Sequence, residues 1–108
     1  MRPGELTLDH RTEGARHTLV LAGELTLATS AEFAQMFREI DVLGFTELAL
    51  DLGGLTFMDS TGLREILMCS HSCQRPGREL QITGVQTPVM RLFQLAGVSE
   101  RLPLRGAQ

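Results

Sequence analysis

Lysine is absent: all ten cationic side chains are arginine, a skew that fits coding bias rather than a chemical role. Neither sign of charge dominates. A formal net charge of −3 gives no general attraction to nucleic acid or to an anionic membrane surface. No apolar run approaches the ~18 residues of a membrane-spanning helix, so no membrane insertion is expected. The opening stretch MRPGELTLDHRTEG has no apolar h-region, and no secretory leader is expected. Phosphate-loop patterns of the G-x-x-x-x-G-K-[ST] or G-x-G-x-x-G kind are missing, and Gly53-Gly54 belongs to neither. No cofactor is expected.

Cysteine is scarce, Cys69 and Cys73 being the two. Four residues apart on one predicted helix, their Cβ atoms stand about 6 Å apart, wider than a disulfide allows. A reduced, cytoplasmic setting follows. His71 lies between them but points elsewhere around the helix. The trio therefore does not converge as a zinc site requires, nor as a Cys–His nucleophile. His10 and His17 lie far off in sequence. No metal and no catalytic residue is expected. Asp59 and Ser60 alone, without an evident base or oxyanion donors, do not make an enzyme.

What is present is enough for one domain over residues 1–108. The hydrophobic content of 43% against 21% charged suits a soluble globular core. Residues 4–9, GELTLD, alternate and predict a strand, with Leu6 and Leu8 on one face. RTEG reads as a turn and HTLVLAG, 17–23, as a second strand, paired antiparallel. Thr29 and Glu32 match a capping box, and Phe33, Met36, Phe37 and Ile40 give a core-facing helical stripe over about 29–41. TELALDL, 46–52, predicts a buried strand, with GGLTFMD as a loop after it. Leu63, Ile66, Leu67 and Ser70 form the next helical stripe, closed by Pro76 and Gly77. RELQITG, 78–84, is a strand. Thr87 as N-cap and Pro88 open a last helix with Val89, Leu92, Phe93 and Ala96 inward and Gly97 at its end. SERL reads as a short final turn. The order β-β-α-β-α-β-α predicts an α/β fold: a mixed four- to five-stranded sheet with helices packed mainly on one face.

Function concentrates at LTFMDSTGL, residues 55–63. Asp59, Ser60 and Thr61 stand where a strand ends and a helix begins, the place where open α/β sheets gather their sites. One reading is a cap, with the Ser60 oxygen accepting from backbone N–H groups one turn on. The other is a modified hydroxyl. A phosphate on Ser60 adds about −1.5 to −2 charge, which a helix N-terminus tolerates but a docked partner does not. Arg64 and Glu65 lie one turn away on the outward side.

LTFMDSTGL resembles the signature of STAS domains, the anti-sigma factor antagonist family. LVLAGELTLATSAEF is similar to the family's second strand and first helix entry. LQITGVQTPVMRLFQLAGVSERL is similar to its last strand and helix, so the resemblance runs over about 5–102. It implies a bacterial, cytoplasmic, non-enzymatic module that binds an anti-sigma factor with serine kinase activity and frees a sigma factor. The kinase phosphorylates the hydroxyl after the motif's Asp, which ends binding, and a serine phosphatase restores it. On this chain the acceptor is Ser60. Asp59, Thr61, Gly62 and Arg64 complete the implied partner-binding set, with Met58 and Leu63 supporting the loop. Thr26, in GELTLAT, stands where the family commonly carries Asp and joins the set as a second hydroxyl. The resemblance also covers an alternative, a constitutive, non-phosphorylated subunit of a stress-sensing or lipid-transport complex. It excludes neither, and leaves the oligomeric state open.

Overall fold

The computed structural model describes residues 2–106. Eight elements follow in order: β1 (Leu6–Glu13), β2 (Arg16–Leu25), α1 (Ser30–Leu43), β3 (Glu47–Met58), α2 (Ser60–Ser72), β4 (Glu79–Thr83), α3 (Thr87–Leu95) and β5 (Leu104–Arg105). The strands form one mixed sheet in the order β1-β2-β3-β4-β5. β1 and β2 are antiparallel. Gly14, at φ 62°, supplies the positive dihedral that their two-residue turn needs. The remaining pairings are parallel. Each parallel crossover steps the same way across the sheet, and with the usual right-handed connection that puts the three helices on one face.

Period-two burial shows that face. Leu19, Leu21 and Leu25 of β2, Leu48, Leu50 and Leu52 of β3, and Leu80 and Ile82 of β4 point into it. They meet Phe33 and Ile40 of α1, Leu63 and Ile66 of α2, and Val89 and Phe93 of α3 in one buried cluster. Burial of each such side chain contributes about 1.5–3 kcal/mol. On the other face Thr18, Val20, Ala49, Asp51, Gln81 and Thr83 are half-buried. The mixed sheet with one helical layer is therefore as the sequence predicts. Ala49, within the strand predicted as buried at 46–52, instead alternates outward and is half-buried.

The boundaries differ in ways that matter for the site. β1 runs through RTE to Glu13, so the expected turn begins only at Gly14. β3 runs through GGLTFM to Met58, where a loop was expected. The glycines misled the pattern. A Cβ on Gly54 would stand 2.8 Å from the Ala22 Cβ, so glycine lets β3 press against β2 instead of ending it. Register shifts between Val20 and Ala22 and between Gly23 and Glu24 re-phase the strand, and inward positions pass from Leu52 to Leu55 and Met58. Thr87 is already inside α3. Gln86 holds the cap position without a side-chain cap bond and donates to Gly53 O. α3 closes as expected at Gly97: its N–H reaches Gln94 O and the Val98 N–H reaches Phe93 O, both at 3.0 Å. The turn at SERL leads into β5, a strand of two residues too short to leave a periodic signal.

Candidate functional site

β2 and β3 run parallel and end side by side, Leu25 opposite Met58. Met58 and Leu63 are buried, 5% and 8% exposed, and anchor the two sides of the turn between β3 and α2. Asp59 fills that turn. Its extended backbone (φ −104°, ψ −173°) leaves the strand before the helix starts. Its Oδ1 accepts the Gly62 N–H at 2.9 Å, and its Oδ2 accepts the Leu27 N–H at 3.0 Å. Its own N–H donates to Leu25 O at 3.3 Å. One carboxylate thus caps α2 and ties the β2–α1 loop to it. Burial pushes the Asp59 carboxyl up, but the N–H groups of Gly62, Leu27, Thr61 and Asp59 itself outweigh that and hold it below the usual carboxylate range.

The cap is therefore Asp59, not Ser60. Ser60 is the first residue of α2 and is exposed. Its hydroxyl makes no hydrogen bond among the described residues, since the N–H groups it could have capped are already served by Asp59. Thr61 is half-buried and Arg64 exposed one turn on. Gly62 is buried, and a Cβ there would lie 2.2 Å from Leu25 O. Only glycine lets the first turn of α2 sit against the end of β2.

Thr26 lies in the tied loop. Its hydroxyl accepts the Ala28 N–H at 3.2 Å, and its carbonyl accepts the Ser30 N–H at 2.7 Å. Thr29 hydroxyl accepts the Thr26 N–H at 3.0 Å and donates to Glu24 O at 2.8 Å. The expected Thr29–Glu32 capping box does not form, because that hydroxyl is spent on the loop. Thr26 thus accepts a local backbone N–H, as a carboxylate could, but brings no negative charge to the loop that Leu27 ties to Asp59.

Two residues at this site escaped the sequence reading. Leu27 is 75% exposed and Phe57 49% exposed. They flank Asp59, Leu27 across its hydrogen bond and Phe57 two positions before it. Phe57 faces water because the second register shift, where Gly23 pairs with Leu55 and Glu24 with Phe57, makes Met58 rather than Phe57 the next inward position after Leu55. The signal that could have found it was the three-residue step from Leu55 to Met58 after a glycine pair. Leu27 belongs to no helical stripe, which was its own signal. The site thus presents a free hydroxyl, a capping carboxylate with its charge already met by N–H donors, and two apolar side chains. Cys69, His71 and Cys73 lie elsewhere: both thiols are buried and His71 is exposed.

Comparison with known proteins bears on the family and the fold. The family model described as "Mlab, STAS domain" matches residues 8–105. The anti-sigma-B factor antagonist of Staphylococcus aureus is 25% identical over 95 residues, which cover 88% of each chain. An anti-sigma factor antagonist from Mycobacterium paratuberculosis superposes with a TM-score of 0.87 at 17% identity, over 98% of this chain and 90% of that one. The anti-sigma factor antagonist SpoIIAA in its unphosphorylated form gives 0.79 at 17% identity, over 94% and 89%. The Bacillus SpoIIAA in its phosphorylated form gives 0.73 at 16% identity, over 94% and 92%. With its matched residues running from β1 into β5, this chain belongs to the STAS domain family.

Proposed function

We propose that this domain is an anti-sigma factor antagonist. Its Ser60 loop docks on an anti-sigma factor with serine kinase activity, docking releases a sigma factor, and phosphorylation of Ser60 ends the contact. A serine phosphatase reverses it. The observation that carries the reading is the division of labour between neighbours: Asp59 caps α2, so the Ser60 hydroxyl is exposed and unbonded. A relative of this fold has been solved both with and without phosphate, which supports a modification the fold can carry. At the first turn of α2 a phosphate meets the helix N-terminus, which favours negative charge, and Arg64 stands four residues on, across one turn. The fold accepts the dianion. A partner seated on Leu27 and Phe57 meets a new, desolvated charge beside Asp59. The reading leaves the domain without catalytic work of its own.

Thr26 supports a second reading. It contributes a hydroxyl where the family commonly carries a carboxylate, and a constitutive, non-phosphorylated subunit needs no such charge. A charge at Ser60 weakens docking in either reading if the loop is the interface, and only the first adds a kinase that phosphorylates Ser60; the docking that the first requires is tested by one titration. Titrate a serine-kinase anti-sigma factor from the same organism, without ATP, against the wild-type domain, Ser60→Ala and Ser60→Asp. The switch requires tight binding by the first two and at least a tenfold loss, about 1.4 kcal/mol, in the third. Equal binding by all three overturns it.

A further inference from the structure

One long run of backbone remains unused: the outer edge of β1. The Glu24 N–H donates to Glu5 O at 2.9 Å, and the register from Leu6↔Gly23 to Glu13↔Arg16 continues that ladder. Bonded and non-bonded pairs alternate in an antiparallel pair. Thr7, Asp9, Arg11 and Glu13 therefore bond to β2, while the N–H and C=O groups of Leu6, Leu8, His10 and Thr12 point away from it. Among the described residues no strand pairs with them. The side chains of Thr7, Asp9, Arg11 and Glu13 are exposed on the face without helices. Arg11 Nη2 lies 2.8 Å from Asp9 Oδ2, the two side chains 68% and 59% exposed.

An open edge is a template for another strand. We infer that its occupant is β1 of a second copy, paired antiparallel about a two-fold axis at His10. The charges select this register. With His10 opposite His10, Asp9 of each copy stands directly across from Arg11 of the other, at a Cβ separation of about 4.5–5.5 Å. Each carboxylate then lies between two guanidinium groups. Moving the pairing one step either way opposes Asp9 to Asp9 or Arg11 to Arg11, and like charges directly opposite are destabilising. The His10 ring stays clear of the edge, because its Nε2 is 2.8 Å from His17 Nδ1. The two sheets join into one, and the two Ser60 loops point to opposite ends, both free. A one-strand contact buries less than the ~1,000 Å² of a stable specific interface. The dimer is therefore weak, half-formed between about 10 µM and 1 mM.

Sedimentation equilibrium of the whole chain up to ~1 mM tests this. Asp9→Arg alone and Arg11→Asp alone should each weaken self-association by about tenfold or more, and the two together should restore it to within about threefold. Thr12→Pro removes an N–H that bonds nothing in β2. It should abolish the dimer while circular dichroism and the melting curve stay as in the wild type. A wild-type chain that remains monomeric at ~1 mM overturns the inference and leaves the edge to water or to a different strand. So does a combined Asp9→Arg, Arg11→Asp variant no better associated than its parents.

Discussion

At the carboxyl ends of β2 and β3, polar groups bond to backbone and leave Ser60, Leu27 and Phe57 facing water; at the amino ends, polar groups bond to one another and face inward. There His17 is 4% exposed, stacks on His10 with ring centres 5.0 Å apart, and meets Phe45 edge-on at 6.3 Å. Arg78 covers the Phe45 ring at 4.1 Å. Its Nη1 stands 2.7 Å from Asp41 Oδ1, off hydrogen-bond geometry, so the contact is a charge pair. Cys69 and Cys73 are buried. The neighbouring Cys73 thiol and burial push Cys69 up, and the neighbouring Cys69 thiol holds Cys73 down. One end of the sheet is closed by its own side chains. The other is closed by backbone, which keeps side chains available. A perturbed titrating group marks both ends, so perturbation alone does not locate a site; the ends differ in that only the carboxyl end leaves Leu27 and Phe57 exposed beside it.

The largest expected effect breaks the comparison at its tightest contact. Gly62→Ala should cost about 3 kcal/mol, because its Cβ would meet Leu25 O at 2.2 Å. Gly77→Ala has φ +82° but nothing within 4 Å and should cost about 1 kcal/mol. Urea midpoints check both, and equal losses would mean that the close approach of α2 to β2 carries no energy.

Next in size, the two ends should separate stability from binding. Arg78→Met should cost about 2 kcal/mol of stability, less than a fully buried pair, since Asp41 is 32% exposed. It should leave anti-sigma factor affinity unchanged. Leu27→Asp or Phe57→Ala should do the reverse, lowering affinity about tenfold with melting unchanged. Calorimetric titration and thermal melts on the same samples read both.

Adjacent residues should differ too. Asp59→Ala should lose about 2 kcal/mol through the cap and the Leu27 tether. Ser60→Ala should change stability by less than about 0.5 kcal/mol. Comparable losses in denaturation curves would return Ser60 to a capping role.

The smallest effects are in pH. Burial, then the nearby His10, lowers the His17 pKa from 6.5, so the fold prefers the neutral ring. The unfolded chain binds that proton first, and stability falls as pH drops through and below about 6.5. The lowered Asp59 carboxyl contributes stability above about pH 4 that is lost as pH falls through its folded value. Melts from neutral to acid pH should show two separate declines, the upper absent in His17→Gln and the lower absent in Asp59→Asn.

The core was legible because helical and strand periods are local. Phe33 and Ile40, Leu63 and Ile66, and Val89 and Phe93 declared their faces without the structure. The last third of β3 was not, because a glycine pair marks a loop and a close strand approach alike. Ala22 makes the difference, and it lies on another strand. The motif placed Ser60 and Asp59 correctly at the strand–helix junction. It left the cap on the wrong neighbour, because Asp59 and Ser60 are both good capping residues and the choice turns on whether the helix starts one residue earlier or later; the second bond of that carboxylate, to Leu27 32 residues away, has no local signal. Leu27 and Phe57 stayed hidden for the same reason: their exposure follows from a bulge and a tied loop, not from spacing.

The most direct test is to incubate the domain with a serine-kinase anti-sigma factor and ATP, then map phosphate by intact-mass and peptide mass spectrometry. A single phosphate on Ser60, absent in Ser60→Ala and leaving the melting temperature of the fold intact, is the expected result. Binding without any phosphate, or phosphate on Thr26 or Thr61 instead, would contradict the assignment of Ser60 as the switch.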